Sequence, residues 1–180
     1  MTIYLDHAAA TPLDPVVLAA MQPYFSEMFY NPSSPYAPAI AVRRDYDNAK
    51  SRIAAILGAQ AGEITMTAGA TESVNLAFAA GSGHVIATTI EHQAVLAAAA
   101  RYDHTLVAVD QHGRVDPNAV KQAIRPDTWL ISIGLANNEI GTVQPLAKIA
   151  EIIRVVRAER LESGNHVPLY LHSDASQGVG

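Results

Sequence analysis

Five short β-rich runs alternate with helical stretches through the last two thirds of the chain, and no other feature restricts the fold as strongly. The runs are Ile64 to Thr67, His84 to Thr88, Thr105 to Val109, Thr128 to Leu135 and Leu169 to Ser173. Each has strand length. Between them Glu72 to Ala80, Gln93 to Arg101, Pro117 to Ile124 and Pro145 to Arg160 have helical character, with Asp116 as an N-cap. The order is therefore βαβαβαβαβ. The run Trp129-Leu130-Ile131-Ser132-Ile133 is apolar on both faces, as a strand covered on both sides by helices must be. The expected class is α/β, a mostly parallel sheet with helices on both faces.

The preceding residues differ in texture. Asp14-Pro15 opens a helix whose apolar positions are Val16, Val17, Ala20 and Met21, and Pro23 shortens or bends it. Phe29 to Pro38 holds three prolines and two serines, which makes it a loop. Ala39 to Leu57 carries Val42, Tyr46, Ala49, Ile53, Ile56 and Leu57 on one stripe and stops at Gly58. The expected organisation is one incomplete domain over 1–180, with an extension over 1–60 and an α/β core over 61–180.

Composition excludes several functions. With 49% hydrophobic and 16% charged residues, the 180-residue chain has the means to build a core, so disorder is excluded. It contains no cysteine, so these residues offer no disulfide, thiolate metal site or thiol nucleophile. A net charge of −5 argues against a nucleic-acid partner. Residues 1–13 lack a basic region followed by an apolar stretch, which leads to the expectation of a cytoplasmic protein. The apolar run Ala94 to Ala100 is far short of the ~20 residues that cross a bilayer, so no membrane association is expected.

In open α/β sheets ligands bind at the carboxyl ends of the strands, so the residues after each run are the candidates. Ala68-Gly69-Ala70-Thr71-Glu72-Ser73 places free amides and hydroxyls at a helix start: an anion cradle, or a tight turn with a capped helix. It lacks the lysine of a P-loop and the three glycines of a dinucleotide site, so a single phosphate suits it better than a nucleotide chain. His92 can stack on a flat ligand, move a proton, or be structural. Asn137-Asn138-Glu139 is turn chemistry or a substrate loop. Asp174 can hold a protonated ring nitrogen, ligate a metal or cap a helix. A phosphate cradle, a stacking imidazole and an aspartate with a nearby amide are together what pyridoxal phosphate demands.

Six ordered motifs then carry a resemblance over essentially the whole chain: Tyr4-Leu5-Asp6-His7-Ala8-Ala9 with Thr11-Pro12, Asn31-Pro32-Ser33-Ser34, Thr67 to Ser73, Glu91-His92-Gln93-Ala94-Val95, Asn137-Asn138-Glu139-Ile140-Gly141, and His172-Ser173-Asp174-Ala175-Ser176-Gln177. The sequence resembles the amino-terminal part of the cysteine desulfurases, in the class V branch of fold-type-I pyridoxal phosphate enzymes. The resemblance implies that Ala70 and Thr71 hold the cofactor phosphate and that His92, the catalytic candidate, stacks on the pyridine. Asp174 would pair with the ring nitrogen and Gln177 with the phenolic oxygen, while Asn138 would touch that oxygen or the substrate carboxylate. It also implies L-cysteine as substrate, alanine and a persulfide as products, a sulfur-acceptor protein as in iron–sulfur cluster assembly, and a homodimer.

Two departures qualify the resemblance. The family's Schiff-base lysine, persulfide cysteine and carboxylate-binding arginine belong downstream of the aspartate strand, and the lysines present, Lys50, Lys121 and Lys148, all fall in predicted helices. The expectation is a chain inactive by itself. Tyr36 also stands where the family often has histidine. The alternatives are a non-catalytic remnant of the fold, or a metal-dependent hydrolase using His7, His92, His172 and Asp174, although these residues form no compact metal motif and no metal is expected.

Overall fold

The computed structural model describes residues 3–179, which pack as two compact units, one before Thr67 and one from Thr67 onward. In the first, Asp14 accepts the Val16 amide and Pro15 starts helix α1 (Pro15–Met21). Pro23 interrupts it, and a single further turn follows as α2 (Pro23–Ser26). Asn31 Oδ1 accepts the Ser33 amide at 2.9 Å, an Asx turn that shapes the proline-rich loop. Helix α3 (Ala37–Leu57) has proline in its first turn and ends at Gly58, whose φ of 68° is left-handed. Its apolar stripe is less buried than its spacing suggests: Val42 is covered, whereas Ile56 is 81% exposed. A few helices and loops enclose too little volume to cover a long helix within this unit.

The second unit holds α4 (Ala70–Ala79), β1 (His84–Thr88), α5 (Gln93–Ala99), β2 (His104–Val107), α6 (Pro117–Ala123), β3 (Thr128–Ser132), α7 (Leu146–Glu162) and β4 (Tyr170–His172). All pairs are parallel, and the strand order is β2-β1-β3-β4. The α/β class and the parallel sheet expected from the sequence are what the structure contains. One strand is corrected. Ile64 is extended, at φ −94° and ψ 124°, but Ile64 to Thr67 forms no ladder among the described residues. A strand exists only where a neighbour's amides and carbonyls meet its own, which local composition does not supply. The runs after β1 are also shorter than expected, since β3 ends at Ser132 and β4 at His172.

Helices cover both faces. Val85 and Ala87 of β1 pack with Val74, Phe78 and Val95 from α4 and α5. Ile86, between them, points the other way to the cluster containing Ile131, Val120, Ile149 and Ile153, under α6 and α7. β1 and β3 are buried throughout. A register irregularity between His84 and Val85 sets Trp129 beside Leu130 on the α4/α5 side. There the indole lies over Gly81, where a Cβ would stand 2.6 Å from the ring.

Phe78 is completely buried between α4 and the sheet. Phe78→Ala should therefore lower unfolding free energy by about 3–5 kcal/mol in a urea titration, the cost of a buried aromatic cavity.

Candidate active site

β1 connects outward to β2, and the chain then crosses to β3 on the other side of β1, so the order reverses between the carboxyl ends of β1 and β3. At such a switch point neighbouring loops diverge and leave a crevice. The candidate residues belong to this edge. His92 and Glu91 follow β1, Asn137 and Asn138 follow β3, and Asp174 and Gln177 follow β4. Helix α4 runs back along the sheet into β1, which puts its first turn, with Ala70 and Thr71, at the same edge.

His92 is the N-cap of α5, and its Nδ1 accepts the Ala94 amide at 3.1 Å. A neutral ring held this way carries its proton on Nε2. Asp174 Oδ1 accepts both the Ser176 hydroxyl, at 2.6 Å, and the Ser176 amide, at 3.0 Å. Burial pushes the Asp174 carboxyl up, but the two Ser176 bonds and the nearby His172 and His92 outweigh it, so the group sits below the ordinary aspartate range. It is an anion at neutral pH. Two residues earlier, His172 Nδ1 meets Ser132 Oγ at 2.8 Å and the ring lies edge-on to Phe78. Burial holds His172 below the usual histidine value, against the pull of Asp174.

Glu91 and Ser132 were given no chemical role from the sequence, and Asn137 only that of a turn or substrate-loop amide. Glu91 accepts the Thr88 hydroxyl at 2.6 Å and the Gly134 amide at 2.9 Å. Burial raises its pKa, and these bonds only partly offset that. Asn137 donates to the Ile90 carbonyl, and its Oδ1 accepts the Glu139 and Ile140 amides, leaving Asn138 exposed on the same turn. A carboxylate directly after a buried strand was the available signal. Its partner lies 43 residues away, which spacing does not reveal.

At the α4 start, Gly69 provides no side-chain cap, so the first-turn amides of Ala70 and Thr71 have no partner from that position. Glu72 turns back to the Ala68 amide at 2.7 Å. Gln177 lies in a turn closed by the Gly178 amide on the Ala175 carbonyl. Among the described residues no three His, Asp or Glu side chains gather as a metal site, so the hydrolase alternative has no ligand set there.

The profile of the class-V aminotransferases matches residues 3–161. The chain belongs to that family. Cysteine desulfurase IscS of Dictyoglomus turgidum is 39% identical over 99% of this chain and 45% of its own. A solved NifS-like protein superposes with a TM-score of 0.85 at 30% identity, covering 97% of this chain and 49% of that one. SspA, solved in complex with cysteine, gives 0.83 at 35% identity over 96% and 50%. The chain thus spans about half the length of the relatives it matches.

Membership in the class-V family indicates pyridoxal phosphate as the cofactor. The donor set fits that group: an ionised carboxylate for a protonated ring nitrogen, an imidazole with its proton outward, and an uncapped helix start for a phosphate.

The pH response follows from the signs. Asp174, with its folded value depressed, contributes stability present above the ordinary aspartate range and lost as pH falls through the folded value. Glu91, raised, imposes a cost that develops as pH rises from the ordinary glutamate range to its folded value. His172, lowered, imposes one that develops as pH falls below the ordinary histidine range. Urea unfolding at pH 7.5 and 5.5 should accordingly show a smaller acid loss for His172→Gln than for the parent.

Proposed function

We propose that this chain forms the cofactor-binding part of a cysteine desulfurase, which removes sulfur from L-cysteine to give L-alanine and an enzyme persulfide. The observation that carries this reading is the placement of His92 after β1 and of the Asp174 carboxylate after β4, at the carboxyl ends of strands in one parallel sheet whose order reverses between β1 and β3. The relative named cysteine desulfurase and the neighbour solved with cysteine support the substrate.

Pyridoxal phosphate, when bound, supplies an electron sink that labilises bonds at the substrate's α- and β-carbons. The chain's own residues have distinct tasks in this reading. Asp174 holds a proton on the ring nitrogen, because a carboxylate kept anionic favours the charged ring. Ala70 offers its amide and Thr71 its amide and hydroxyl to the phosphate at the positive end of α4. Gln177 hydrogen-bonds the phenolic oxygen, and Asn138 serves that oxygen or the substrate carboxylate. His92 stacks on the ring with Nε2–H free to donate, since Nδ1 is committed to the Ala94 amide.

The residues described here bind and orient. In this reading Lys50, Lys121 and Lys148, inside α3, α6 and α7, do not serve as the Schiff-base amine, and the 180 residues hold no cysteine to carry a persulfide. Turnover therefore belongs to the whole protein, and these 180 residues alone should not release sulfur. A sulfur-acceptor protein, a homodimer and a cytoplasmic location complete the proposal. Among the described residues no helix is long and apolar enough to cross a membrane.

An absorbance titration of the whole protein with pyridoxal phosphate tests the binding roles. Asp174→Ala should weaken uptake about tenfold or more, the worth of one charge-assisted bond, and Thr71→Ala should weaken it less. Parent-like binding by both variants would overturn the assignment. A cysteine assay yielding no alanine from the cofactor-loaded whole protein would overturn the substrate.

A further inference from the structure

Three successive amides beyond β3 are held in alternation. Ile133 N–H donates to the His172 carbonyl at 3.0 Å and Leu135 N–H to the Asp174 carbonyl at 2.8 Å, both toward β4. Gly134 N–H, between them, points toward β1. β1 ends at Thr88, and the next bond beyond it, from the Thr89 amide to the Val107 carbonyl, continues the ladder toward β2 and gives Gly134 no acceptor. The acceptor that a continuing strand would offer Gly134 comes instead from a side chain, Glu91 Oε2 at 2.9 Å. Glu91 Oε1 is occupied by the Thr88 hydroxyl, so the carboxylate is braced from both ends. Asn137 Nδ2 makes the reciprocal stitch to the Ile90 carbonyl at 3.1 Å. The fit at Gly134 is close: a Cβ there would stand 3.2 Å from Glu91 Oε2.

The brace joins the segment after β1 to the segment after β3. Glu91 precedes His92 directly, and Gly134 precedes Leu135, which grips the Asp174 backbone. We propose that Glu91 is a positioning residue that sets the spacing between His92 and Asp174 by replacing the missing sheet hydrogen bond at the switch point. The inference rests on the cofactor reading for its functional consequence and on hydrogen bonding alone for its structural one. Burial of this carboxyl group is offset only in part by its bonds to Thr88 and Gly134, so those bonds are what the buried polar group has in return for lost water.

The role is one of bonding, not of charge, and the variants separate the two. In Glu91→Gln the amide oxygen accepts from Gly134 while the NH2 donates to the Thr88 hydroxyl, so the brace survives without its charge. Glu91→Ala removes it. Hydrogen exchange over 89–92 and 133–137, read by mass spectrometry on the intact protein, and a pyridoxal phosphate titration are the two measurements. Glu91→Ala should speed exchange in both segments and weaken cofactor uptake, each about tenfold, with Glu91→Gln within about twofold of the parent. If the alanine variant does not fold, Gly134→Ala crowds the same carboxylate and should speed exchange in both segments.

Unchanged exchange in Glu91→Ala would overturn the brace whatever the cofactor does. A glutamine variant as impaired as the alanine one would overturn positioning in favour of charge. Exchange that rises as expected in a protein whose parent takes up no pyridoxal phosphate would uphold the brace and overturn the cofactor reading.

Discussion

The pairing of β1 with β3 is the constraint on which the rest of the second unit depends. Both strands are covered on each face, so every amide and carbonyl along them needs a partner within the protein. In the middle of the sheet the ladder provides those partners and the side chains are apolar. At the two ends it does not, and polar side chains take over. At the amino end His84 is fully buried between two hydroxyls, Thr128 Oγ1 at 2.7 Å and Thr105 Oγ1 at 2.9 Å, which joins β1 to both neighbours. Burial lowers its pKa, which suits a neutral ring in that position. At the carboxyl end Thr88 and Glu91 do the corresponding work where β1 and β3 part. This carboxyl edge is polar because parallel strands connected in opposite directions stop satisfying each other there.

The connection after β3 is steadied from a second direction. Gln144 is buried, accepting the Val115 amide at 3.0 Å and donating to the Gly113 carbonyl at 2.6 Å, and Thr142 donates to the His112 carbonyl. Gly113, with φ at 71°, passes close under Ile140, where a side chain would collide. The 110–115 turn therefore clasps the segment that carries Asn137 and Asn138. A loop anchored on both flanks keeps its exposed tip in place, with little conformational freedom left to lose.

The two units differ in how they are held. The second contains both apolar clusters, whereas the first buries Ala39, Val42 and Ala54 and leaves Ile3, Leu5 and Val16 exposed. Its helices are instead specified locally, by Asp14 and Pro15 at one start and Gly58 at one end. Capping and proline geometry act within a few residues, so they define helices without requiring a packed partner.

For that reason much was legible before any coordinates. β1 was read at its observed limits from a short β-rich run after Gly83, and α6 from its Asp116-Pro117 start. The class and the strand-end placement of His92 and Asp174 followed from alternation alone. Ile64 to Thr67 was misread as a strand because pairing is not a property of the run itself. Nor does the order β2-β1-β3-β4, which reverses between β1 and β3, appear in local pattern. Glu91 looked like one polar residue beside a histidine, and its meaning depends on a glycine amide that only the crossover brings within 2.9 Å. Local periodicity and capping act over one or two turns and are written in the sequence. Hydrogen bonds between diverging strands join residues distant along the chain, and only the folded topology decides which amide meets which carboxylate.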